Sequence, residues 1–126
     1  MVERIEGFTP KERWEKAYQE INEFENQLTE WGAIVIKFWL QIDEKEQLER
    51  FNERQSNPEK QWKITEEDWR NREKWDDYEI AVNEMLQKTS TDFAPWYVIE
   101  ANDKKFARIK ILKLVIKAIK NRLNEE

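Results

Sequence analysis

The sequence predicts an α/β fold in which a parallel sheet lies between helical layers, and three observations carry that expectation. Two short apolar runs, Ala33 to Leu40 and Trp96 to Glu100, read as strands. Stretches with three- and four-residue apolar spacing stand before, between and after them, as amphipathic helices do. The connection between the runs is far too long for a hairpin and reads as helical, so the strands should run parallel through a right-handed crossover.

Each element has its own signal. Thr9-Pro10 announces the first helix, with Thr9 as N-cap and Pro10 at the first helical position. Trp14, Ala17, Tyr18, Ile21, Phe24, Leu28 and Trp31 follow at helical spacing, and Gly32 stands where a left-handed cap would end the helix. The run Ala33 to Leu40 is apolar on both faces apart from Lys37, as in a central strand covered on both sides. Asp43 with Glu46 three residues on is a capping-box-like start for a helix to about Gln55, which Ser56-Asn57-Pro58 breaks. Thr65 with Asp68 opens a long helix to about Lys88, with Trp75, Tyr78, Val82, Met85 and Leu86 on its inner stripe. Thr89 to Pro95 is a loop, Trp96 to Glu100 the second strand, and Asn102 or Asp103 caps a last helix that runs to the C-terminus. The order is α-β-α-α-β-α.

In the last helix Ile109, Leu112, Val115, Ile116, Ile119 and Leu123 share one side, and Ile111, Leu114 and Ala118 widen the apolar arc. Lys110, Lys113, Lys117 and Lys120 line the remainder, either as a solvated face or as a polyanion-binding ridge. Two parallel strands alone make a poor sheet, and these helices have too little to cover. Either another chain supplies further strands or the sequence is part of a larger domain.

Composition narrows the chemistry. The 126 residues are 39% hydrophobic and 39% charged, with a mean hydropathy of -1.01, so seven Trp, six Phe and three Tyr must supply much of the core. No Cys and no His are present, which excludes thiol and imidazole nucleophiles and zinc sites built from them. The two glycines, Gly7 and Gly32, are too few and too far apart for a G-x-x-x-x-G-K-[ST] phosphate loop or a G-x-G-x-x-G turn. The net charge of -5 argues against a DNA or RNA coat, yet residues 101–126 hold eight Lys/Arg against three Asp/Glu. No apolar run approaches a membrane span and no signal-peptide pattern opens the chain, so a soluble, cytoplasmic protein without a membrane partner is expected.

Several segments together resemble the C-terminal half of the family-2 polyphosphate kinases, most closely the polyphosphate:AMP phosphotransferase type. Val2-Glu-Arg-Ile-Glu-Gly-Phe8 is similar to the stretch that follows that family's Walker B strand, and Ile34 to Leu40 to its next core strand. Trp62-Lys-Ile-Thr65 and Asp68 to Tyr78 resemble its lid and the helix behind it. Thr89-Ser-Thr91, Ala94-Pro-Trp96 and Glu100 to Lys104 resemble its final loop, strand and helix start. The resemblance implies a partial P-loop-kinase-like three-layer α/β/α fold, with residues 1–126 as the C-terminal half of one domain and a lid over about residues 50–75. It implies phosphoryl transfer between polyphosphate and a nucleoside mono- or diphosphate, with Mg2+ in the complete domain. The Walker A and Walker B segments would lie upstream of Met1, so a homo-oligomer or a complementary N-terminal half is expected as partner, and the chain alone should be inactive.

Phosphoryl transfer depends on positioning and positive charge more than on covalent participation. Arg50 and Arg54, one helical turn apart, could converge on one polyanion, and guanidinium forks suit phosphate oxygens. The resemblance favours Arg54, Lys60, Lys63 and Arg72 as lid residues, and Arg50 and Arg70 less firmly; Trp62, between Lys60 and Lys63, could stack on a base or wedge the lid shut. A basic lid about the Asn57-Pro58 break would close over both substrates. The alternative for these cations is surface ion pairing with Glu46, Glu49, Glu53, Glu66 and Glu67. By resemblance Glu3 matches an acidic residue near the nucleotide acceptor and metal and is the catalytic candidate; read alone it is solvated surface. Lys37, interrupting a buried strand, is either paired or a polyphosphate contact. Trp39, Trp75 and Trp96 fit core positions. A reading from another class stays open: a noncatalytic fragment acting only as an interaction or polyanion-binding module.

Overall fold

The computed structural model describes residues 2–5, 7, 10–59 and 66–125, with the side chains of all of these except 2, 3, 66, 67 and 125. The elements are α1 (Val2–Ile5), α2 (Lys11–Glu30), β1 (Lys37–Gln41), α3 (Glu44–Ser56), α4 (Glu66–Glu73), α5 (Trp75–Thr89), β2 (Trp96–Glu100) and α6 (Lys104–Glu125). The expected caps Thr9 and Thr65 lie outside the described residues, as do Lys60, Trp62 and Lys63.

β1 and β2 pair in parallel, from Lys37 opposite Trp96 to Gln41 opposite Glu100. Strand residues alternate between the two faces of the sheet, and Leu40, Tyr97 and Val98 are exposed. Lys37 turns toward α2 and α5, where its ammonium meets Glu25 and Thr89. Phe38 and Ile42 turn the other way and pack with Ile111 and Leu114 of α6 against the buried Ile99, Ala101 and Ala107. The result is three layers, α2 and α5 on one face and α6 on the other. Further buried positions at Phe51, Ala81, Val82 and Ala94 support the crossover helices and the loop before β2.

The ends of the elements show why the chain stops and turns where it does. Gly32 has φ of 95°, and the amides of Gly32 and Ala33 donate to the carbonyls of Thr29 and Leu28, a Schellman ending for α2. The Asp43 carboxylate accepts the Glu46 amide at 2.7 Å and caps α3 as its sequence announces. At α6 the cap is Asp103, whose Oδ1 accepts from the amides of Lys105 and Phe106, while Asn102 reaches back to Asp43.

Three expectations need correction, and the inward side of α6, which the sequence left open, is settled. The first strand covers Lys37–Gln41 rather than the whole run from Ala33, because Pro95 precedes β2 without an amide hydrogen and the ladder cannot extend below Trp96. The long helix to Lys88 is two helices, broken at Lys74, whose φ of -100° and ψ of 29° leave the helical well. A short α1 precedes the first expected helix, so the order becomes α-α-β-α-α-α-β-α. In α6 the narrower set, Ile111 and Leu114, faces the core, while Ile109, Leu112, Ile116, Ile119 and Leu123 face outward.

Candidate functional site

In open parallel sheets ligands bind beyond the carboxyl ends of the strands. Here β1 leaves the sheet at Ile42 and β2 at Ala101, and a ring of polar contacts ties the two exits together. The Asp43 amide donates to Asn102 Oδ1 at 3.2 Å, and Asn102 Nδ2 donates to Asp43 Oδ2 at 2.8 Å. The hydrogen bonds from the Glu46 amide foremost, and from Asn102 Nδ2, favour the ionised carboxylate and hold the Asp43 carboxyl below its ordinary value.

Arg50 belongs to the same ring. Its Nε pairs with Glu46 at 3.0 Å, and Nη2 donates to the Ala101 carbonyl at 2.7 Å and the Asn102 carbonyl at 3.3 Å. It is therefore a strut between α3 and the β2–α6 turn, in place of the convergence with Arg54 that their spacing suggests. Arg54 sits half-buried in the last turn of α3. Arg72, on α4, donates Nη1 to the Glu44 carbonyl at 2.9 Å and so ties α4 to the start of α3. Phe51 and Trp69 meet edge to face at 5.1 Å and close the same helix pair from its apolar side. Arg70, exposed on α4, has a partner of its own.

Beside the exit of β1 lies a cleft of about 550 Å³, lined among others by Trp39, Gln41, Gln47, Asn71, Trp75 and Tyr78. A second cleft of about 510 Å³ adjoins α4, with Arg72, Lys74 and Trp69 on its walls. Trp39 and Trp75, expected in the core, line the first cleft half-buried; Trp39 donates its ring N–H to Gln41 at 2.9 Å, and the Tyr78 hydroxyl donates to Asn71 at 3.0 Å. The aromatic walls with amide side chains were hidden in the sequence by the apolar stripes that suggest burial. The glutamines at the strand exit were the available signal.

Two further candidates resolve differently. Lys37 is paired: it bonds Glu25 at 2.9 Å, donates to the Thr89 carbonyl and lies 5.1 Å from the Trp96 ring centroid. Trp96 in turn donates its ring N–H to the Thr89 hydroxyl at 2.8 Å. Glu3 lies on α1, whose orientation is set by its neighbour Arg4. That guanidinium bonds Glu84 at 2.7 Å and the Tyr18 hydroxyl at 2.9 Å, and stacks 3.9 Å from the Trp14 ring centroid. No sequence pattern points to this hub, because its partners come from α2 and α5. Among the described residues no three carboxylates gather as they would around a divalent cation. No helix among them is long and apolar enough to cross a membrane.

The layered parallel sheet, its long helical crossover and the clefts at the strand exits make up part of a three-layer α/β/α domain. The family model for polyphosphate kinase 2 matches residues 1–126, and the chain belongs to that family. It is 59% identical over 119 residues to the polyphosphate:AMP phosphotransferase of Pseudomonas aeruginosa and 58% identical over 119 residues to that of Pseudomonas syringae pv. tomato, each match covering 94% of this chain. The chain spans about a quarter, 24%, of the length of these relatives. A crystal structure of a Pseudomonas aeruginosa PA01 protein assigned to polyphosphate kinase 2 superposes on all of the chain with a TM-score of 0.95 and 56% identity, using 27% of that structure.

Proposed function

We propose that this chain is the lid and acceptor-side part of a polyphosphate-dependent nucleotide phosphotransferase, acting between polyphosphate and a nucleoside mono- or diphosphate. The observation that carries the reading is the match along nearly the whole chain to enzymes named polyphosphate:AMP phosphotransferase. In this reading Arg54, Lys60, Lys63 and Arg72 neutralise phosphate oxygens as charge shifts along the transfer axis, which is where most catalysis of phosphoryl transfer lies. Arg50 holds the start of the lid on the sheet. Glu3 stands near the acceptor, on a helix that Arg4 fixes to α2 and α5, and Trp62 stacks on a base or seals the lid. The phosphate loop and the magnesium site are contributed by sequence beyond these residues, since two glycines cannot build that loop.

The test is a pair of assays for ADP made from AMP and polyphosphate. The 126-residue chain alone should give none, and the same chain joined behind the preceding portion of the Pseudomonas aeruginosa relative should turn over. In that joined enzyme Lys63→Ala should lower kcat strongly while the protein stays folded. Turnover by the chain alone at the rate of the joined enzyme would overturn the division of labour, and unchanged kinetics in Lys63→Ala would remove that residue from the site. The shortage of glycine together with the exposed lysine row of α6 favours a second reading, a noncatalytic interaction or polyanion-binding fragment. Failure of the joined enzyme to turn over would decide for it.

A further inference from the structure

The α6 helix carries two apolar faces, and only one of them is used. Ile111 and Leu114 pack into the core. On the outer side Ile109, Leu112, Ile116, Ile119 and Leu123 are 45 to 62% exposed. They follow one another at alternating steps of three and four residues, the spacing of a helix seam that receives another helix. The stripe covers roughly 21 Å of helix at 1.5 Å per residue, about four turns.

The charges beside this stripe identify its occupant. At 100° per residue Lys113 and Lys120 border it on one side, with Lys110 and Lys117 just beyond, and Arg108 borders it on the other. All five are exposed. The one acidic residue of α6 is Glu125, its last residue. A second copy of α6 laid on the stripe would set basic flank against basic flank in either orientation, since antiparallel pairing matches each flank with itself and parallel pairing matches it with the other. A bare polyanion would satisfy the lysines and leave the isoleucines in water. We propose that the outer stripe of α6 is the seat of an amphipathic helix whose own apolar stripe is bordered by Asp and Glu. Such a helix buries the seam and pairs the lysine row at once. The inference concerns α6 as the 126-residue chain presents it, with this stripe exposed.

The experiment titrates the full chain into fluorescein-labelled three-heptad peptides and reads anisotropy. One peptide has Leu and Ile in its seam bordered by Glu, the second has the same seam bordered by Lys, and inorganic polyphosphate serves as a competitor without an apolar face. The Glu-bordered peptide should bind roughly tenfold more tightly than the Lys-bordered one, as several facing ion pairs imply, and the preference should shrink as salt rises. Ile116→Gln, an exposed change checked for unaltered helicity by circular dichroism, should abolish binding of the Glu-bordered peptide. The double change Lys113→Glu and Lys120→Glu should reverse the preference. Equal affinity for the two peptides would overturn the proposal. So would full displacement of the peptide by polyphosphate with Ile116→Gln binding as well as the unaltered chain, which would make the row a polyanion ridge. A dimer that Ile116→Gln dissolves would also overturn it, in favour of a second copy.

Discussion

Replacing Glu25 by Ala tests how the sheet tolerates a lysine in its covered strand. The Lys37 and Glu25 side chains are 10% and 11% exposed and meet at 2.9 Å. Removing the carboxylate leaves the ammonium buried with only the Thr89 carbonyl as acceptor. Breaking one side of a buried pair costs about 3–5 kcal/mol, because the remaining charge loses its partner and regains no water. Glu25→Ala should therefore lower stability by about 3 kcal/mol, and Lys37→Met, which strands the carboxylate, by a similar amount. The double variant has no unpaired charge to bury, so its loss should fall short of the sum by about 2 kcal/mol. Urea unfolding followed by circular dichroism gives the free energies. Tryptophan fluorescence reports locally, since the Trp96 ring centroid lies 5.1 Å from the ammonium. A loss below about 1 kcal/mol in Glu25→Ala, with additivity in the double variant, would refute the reasoning and return Lys37 to the pool of free cations.

Two other outcomes follow from the helix ends. Gly32→Ala places a side chain at φ of 95°, where L residues are strained, and should destabilise by about 1–2 kcal/mol in the same urea assay, with Gly32→Asn milder. The Asp43 carboxyl is held below its ordinary value by the Glu46 amide and Asn102, so its ionised form favours the folded state. That contribution is present above the unfolded value near pH 4 and is lost as pH falls through the lower folded value. The urea midpoint should drop over that acid range, and Asp43→Asn should flatten the drop; an unchanged profile would exclude the linkage.

Much of the fold was legible because local chemistry and tertiary context agree. Thr29 to Ala33 closes α2 as Gly32 announces, Asp43 caps α3, and the two apolar runs pair in parallel as a long helical connection requires. What escaped the sequence depends on partners distant along the chain. The break at Lys74 has no Gly or Pro to mark it. The apolar arc of α6 is so wide that its spacing fits two orientations, and only Phe38, Ile42 and Ile99 decide which side faces inward. For the candidate site, residue type was legible and allegiance was not. Arg50 and Arg72 carry the same charge on neighbouring helices, yet Arg50 is bound to carbonyls beyond β2 and Arg72 to a carbonyl at the start of α3. The partner of Arg50 lies at a sequence separation of 51 and that of Arg72 at 28, and no local pattern encodes either.

The polar ring at the strand exits has a consequence for the order in which the molecule assembles. Its bonds between the two strand exits join residues 51 to 59 positions apart, and the Lys37 bond to Thr89 spans 52. None can form until the helices between them have brought the strands together, so the ladder and its fastenings must appear late and in a single step, while α2 and α6 can form from local contacts. The same linkage governs opening. The amides of Trp39, Ile99 and Ala101, which point into the ladder in this register, should exchange with solvent at one common rate, set by the release of the whole strand pair rather than by fraying from either end.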